Sequence, residues 1–167
     1  MRLARPFDLP NRFVGSPTIL IDGVAPLPNE TARLGDRASA AAAWQAALNS
    51  GAEEVTIPAA VNLATLAAVD SDFPTALAFL QQAAEHAFAP ALDYAAVLKP
   101  STRTAACARL STLEDTDSLN FRGIGALADS DRAEACKLWT ASRDQGDMVA
   151  PLLLKQLSRT GHHHMIE

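Results

Sequence analysis

From Asp36 to Gly161 apolar residues recur at spacings of three and four, the period of helices that lie against a core. Asp36 precedes RASAAAAWQAALN, and Asn49-Ser50-Gly51 closes that stretch with C-cap chemistry. Thr56 is an N-cap candidate for the next helix, with Pro58 tolerated in its first turn, and the pattern runs through AAVNLATLAAV to Val69. Asp72 caps a helix that carries Pro74 early and ends near Phe88. A shorter helix spans Ala91 to Leu98 and stops at Lys99-Pro100. Ser101 caps TRTAACARLSTL, and Asp117 or Ser118 opens LNFRGIGALA, where Gly123 and Gly125 lower the helical tendency. Ser130 or Asp131 opens RAEACKLWTASRDQ, which Gly146-Asp147 breaks. The last helix, MVAPLLLKQLSR, holds Pro151 about one turn in and ends at Gly161. The pattern therefore predicts eight helices joined by short turns.

Residues 1–34 follow no such period. They hold Pro6, Pro10, Pro17, Pro26 and Pro28, half of the chain's ten prolines, which excludes a long helix. One strand-like run, Thr18-Ile19-Leu20-Ile21, is closed by the turn pair Asp22-Gly23. Phe7, Phe13 and Ile19 to Ile21 are too apolar for a purely solvated tail. The expectation is an extended arm that lies against the helical body, a partner or a second copy of the chain. The predicted organisation is thus an arm over 1–34, a helical domain over 35–160 and a flexible His-containing tail over 161–167.

Composition sharpens the helical picture. Among 167 residues there are 34 Ala and 21 Leu but only nine aromatics, so helices can approach closely. A net charge of −5, with no basic cluster, argues against nucleic-acid binding. No run reaches the length of a membrane span and no signal-peptide core is present, which leaves the cytoplasm as the default expectation. Cys107 and Cys136 both sit in Ala-rich helical patterns and read as small core residues, although spacing alone leaves their pairing open.

An internal repeat emerges when helices are aligned on their capping aspartates. Asp36 is followed at offsets of four, eight and eleven by Ala40, Trp44 and Ala47; Asp72 by Ala76, Leu80 and Ala83; Asp131 by Ala135, Trp139 and Ser142. Small–large–small at these spacings forms one helical face, whose large residue fills the wedge between hairpins. This face resembles the second helix of tetratricopeptide repeats. The Asp131 unit is similar to the Sel-like subclass, with Gly146-Asp147 and Ala150 following at the expected places. With Ile57 as position one, the family's buried first-helix positions fall on Ala60, Leu63, Ala64 and Ala67. The resemblance spans about residues 35–158 and departs from the family in its unequal repeat lengths and in Ala where large aromatics are usual.

The resemblance implies an all-α fold, a short α-solenoid of antiparallel hairpins; a compact helical bundle is the alternative. It also implies a protein-interaction module that receives an apolar peptide or helix of a partner protein. Its groove would be lined by Val61, Thr65 and Ala68 and by Asn120, Ile124 and Leu127. The competing expectation is a small helical enzyme or ligand-binding protein with a pocket between helices, for which His86, Tyr94, Asn62 and the cysteines are the available material. The run His162-His163-His164 reads as a tail, His86 as a packing or surface residue, and Glu114, Asp115 and Asp117 as charges that solvate a turn and favour a helix start. No cofactor or metal motif is present, and catalysis is not expected.

Overall fold

The structure is a computed structural model that describes residues 37–161. The predicted arm, the capping role of Asp36 and the His run lie outside the described residues. Among the described residues the fold is all-α, with eight helices and no strand. These are α1 (Arg37–Asn49), α2 (Glu53–Val69), α3 (Phe73–Glu85), α4 (Pro90–Val97), α5 (Pro100–Leu110), α6 (Thr116–Ala128), α7 (Arg132–Asp144) and α8 (Ala150–Gly161).

Each helix packs on the next, as in a solenoid, but α2 also touches α6 and α8, and α4 touches α6. The first helices of successive hairpins therefore converge. α2 lies at the centre, and every residue from Val61 to Leu66 is buried. A helix covered on all sides has no polar stripe, so it shows no clean amphipathic period.

The small–large–small face is the packing surface. Ala40, Trp44 and Ala47, Ala76, Leu80 and Ala83, and Ala135, Trp139 and Ser142 are all buried. Counting from Thr102 places Ala106 and Leu110 at the same offsets in α5, both buried; α5 ends there, and Leu113, which would follow at eleven, is exposed.

Two devices make the turns short. Ser71, Ala87, Ser130 and Gly146 adopt positive φ directly after a helix. In each case the next amide reaches back five residues, as in Asp72 N to Ala67 O at 2.9 Å and Asp131 N to Ala126 O at 2.8 Å. An aspartate then starts the following helix at once: Asp72 accepts from Thr75 N, and Asp131 from Glu134 N.

The second device is an arginine in the first turns of a helix, which reaches the end of the helix that follows its own. Arg37 of α1 donates to Leu66 O at 2.8 Å and to both carboxylate oxygens of Asp70, the C-cap of α2. Arg103 of α5 donates to Val97 O at 2.9 Å and to Asp129, the C-cap of α6, at 2.6 Å. Arg132 of α7 donates to Leu157 O and, at 3.1 Å, to Thr160 Oγ1 near the end of α8. A cation placed on exposed C-terminal carbonyls also meets the negative end of the helix dipole.

Several starts differ from the sequence expectation. α2 begins at Glu53, so Glu53 and Glu54 occupy its first turn, and Thr56 lies inside, its hydroxyl donating to Ala52 O at 2.9 Å. Two acids favour the positive N-terminus more than one hydroxyl cap does. α5 begins at Pro100 after Lys99, not at Ser101, because proline fits the first helical position. Asp115, not Asp117 or Ser118, caps α6. Cys107 is half-buried, whereas Cys136 is exposed, not a core residue; both are free thiols.

Candidate functional site

Of the six predicted groove residues, Val61, Thr65, Ala68, Asn120 and Ile124 are buried and Leu127 is half-buried. They form packed interior rather than an open lining. The physical reason is the closure of the first helices on one another, which small residues permit. Thr65 turns its hydroxyl back to Val61 O at 2.8 Å, which satisfies it inside its own helix. Of the material for an inter-helix pocket, Tyr94 and Asn62 are buried and His86 is exposed at the C-cap of α3.

Asn120 instead belongs to a polar knot that joins α6, α7 and α8. Asp147 follows the positive-φ Gly146 and starts α8 by accepting from Val149 N at 3.1 Å and Ala150 N at 2.7 Å. The side-chain amide of Asn120 donates to the same Asp147 oxygen at 3.0 Å. The Trp139 indole donates to the Asn120 carbonyl at 3.1 Å, and Ser142 Oγ to Thr116 O at 3.3 Å. Burial raises the pKa of Asp147, and these donors partly offset the rise.

An acidic edge adjoins the knot. Asp115 accepts from Ser118 N at 3.0 Å, from Ser118 Oγ at 2.6 Å and from the Tyr94 hydroxyl at 3.4 Å. Tyr94 is stacked flat on Phe121, ring centroids 4.5 Å apart, which fixes where its hydroxyl ends. Burial, then Asp117 and Asp115, push the phenol well above its ordinary range. Asp117 stands in the first turn of α6; burial, then Asp147 and Asp115, raise its carboxyl from 3.8 to about 7. Three carboxylates thus crowd one place, while Asp93 of α4 is held by Arg109 at 2.7 Å. Among the described residues no set of His, Cys, Asp and Glu is placed to hold a metal ion.

Two exposed large hydrophobic residues are sequence neighbours of acidic residues in this region. Leu92 is 67% exposed beside Asp93, and Leu113 is 42% exposed just before Glu114 and Asp115. The cluster Glu114, Asp115 and Asp117 therefore does more than solvate a turn: one member caps α6 and bonds α4, another carries a strained charge. Sequence reading missed Asp147 and Tyr94 as parts of this arrangement. The Gly146-Asp147 pair held a signal for Asp147, since Ser71-Asp72 and Ser130-Asp131 have the same turn-and-cap form.

No helix among the described residues is long and apolar enough to cross a membrane. No protein-family model, curated protein or solved structure matches the chain.

Proposed function

We propose that the protein is an interaction module whose docking surface is the acidic edge between α4 and α6 rather than the interior of the hairpin array. The observation that supports this reading is the exposure of Leu92, next in sequence to Asp93, and of Leu113, next to Glu114, together with the mutual repulsion of Asp115, Asp117 and Asp147. A segment that presents aliphatic side chains next to lysine or arginine would cover the leucines and relieve the crowding of Asp115, Asp117 and Asp147. The net charge of −5 favours encounter with such a basic segment.

Selection from a displayed random-peptide library against the immobilised chain tests the reading. Enriched peptides should combine aliphatic and basic positions, bind more weakly at high salt, and lose affinity for a Leu92→Ser/Leu113→Ser variant. Peptides without basic residues, or equal binding to that variant, would reject the proposed surface.

A further inference from the structure

Helices α5 and α7 lie on either side of α6 and leave a cleft of about 400 Å³ between them. Its floor is Gly125 and Ala126, and Ala108 and Leu138 contribute apolar walls. Glycine at position 125 lets the neighbouring helices pack closely under the cleft: a Cβ there would stand 3.0 Å from both Cys107 Sγ and Val97 Cγ1.

Two guanidinium groups converge on this space. Arg103 is buried and fixed by Val97 O and Asp129, so its orientation is set by the fold. Arg122 differs from Arg37, Arg103, Arg109, Arg132 and Arg143: it lines the cleft with no hydrogen-bond or ion-pair partner among the described residues. Both arginines line the cleft beside Cys107, and their charges pull its thiol pKa down against the larger effect of burial. The acids on the rim are already engaged, Asp129 with Arg103 and Glu134 with Lys137 at 3.6 Å. Those pairs cancel and Arg122 leaves one positive charge, which suits a monoanion better than a phosphate dianion.

The geometry points to a binding site for an aliphatic monocarboxylate, its carboxylate paired with Arg122 and its chain laid over Gly125, Ala126 and Leu138. A planar guanidinium accepts a carboxylate on two parallel hydrogen bonds, which fixes the ligand's direction. The volume lies at the small end of ligand pockets, which suits a short chain. This site stands apart from the acidic edge and does not depend on the partner proposed there.

Hexanoate is the probe, with hexanol and inorganic phosphate as comparators, in calorimetric titration of the full chain. Hexanoate should bind, hexanol and phosphate should bind much more weakly, and Arg122→Ala should weaken hexanoate by about tenfold or more. Because Arg122 has no partner to lose, the melting temperature of that variant without ligand should match the parent. A second variant, Ala108→Trp at an exposed wall position, should block the cleft while Arg122 is intact. In a Cys136→Ser background, hexanoate should also slow modification of Cys107 by a thiol reagent. Absence of binding, equal binding of phosphate, or undiminished binding by Arg122→Ala would each overturn the assignment.

Discussion

Gly123 shows how one residue can contradict its local propensity for a packing reason. It sits mid-helix in α6, where glycine is about 1 kcal/mol worse than alanine. A Cβ at this position would stand 2.2 Å from Trp139 Nε1 and 2.7 Å from its Cδ1. The indole is buried and hydrogen-bonded to Asn120 O, so it has no room to yield. Gly123→Ala is therefore expected to destabilise by about 1–3 kcal/mol, the range for overpacking a core, despite the gain in helix propensity. Urea unfolding measures this directly; a variant more stable than the parent would show that the close approach of α6 and α7 is wrong. Trp44 offers a contrast at the equivalent register, because its indole nitrogen is buried without a hydrogen-bond partner. The two tryptophans share an environment of packing but not of polarity.

At the scale of elements, the joints were more legible than the faces. Aspartate after a small or glycine residue marked the starts of α3 and α7, because αL geometry and the cap are both local. The caps of α2, α5 and α6 were displaced by two to four residues, since several Ser, Thr and Asp compete there and tertiary contacts choose among them. Burial of the Trp44, Leu80 and Trp139 face followed from spacing alone. The burial of Val61, Thr65 and Asn120 did not, because periodicity tells which residues are apolar and not which helices meet. Tyr94 pairing with Asp115 across 21 residues had no sequence signal at all. The joints also carry a prediction. Ser71 and Ser130 hold φ of 64° and 67°, a region where a side chain is strained and glycine is not. Ser71→Gly and Ser130→Gly should each stabilise by about 0.5–1 kcal/mol, read as a higher thermal midpoint. A drop in both midpoints would mean that the turns gain more from serine than the backbone loses.

For the molecule as a whole, the acidic edge should set how stability varies with pH. Asp117 has an ordinary value of 3.8 and about 7 in the fold. The folded state then binds the proton more tightly than the unfolded state, so stability falls as pH rises from near 4 to near 7. Asp147 acts in the same direction. Asp117→Asn should make this decline shallower and leave the protein more stable than the parent at about pH 8, followed by denaturant midpoints across the range. An unchanged slope would place the destabilising charge elsewhere. On the proposed docking reading, the same crowding of carboxylates would attract a basic partner, so stability and recognition would be traded at one place.

The arginines that fasten each helix end have a directional consequence for synthesis. Arg37, Arg103 and Arg132 each reach an acceptor that lies later in the chain, with separations of 33 residues to Asp70, 26 to Asp129 and 25 to Leu157, and Arg103 alone also reaches back to Val97 O. For these forward contacts a growing chain makes the cation before the group that receives it. Arg37 and Arg132 stay without these partners until the following helix has been translated, whereas Arg103 has Val97 O from the start and gains Asp129 later. The arginine fastenings can therefore be completed only in chain order, from the end of α2 to the end of α6 and then of α8.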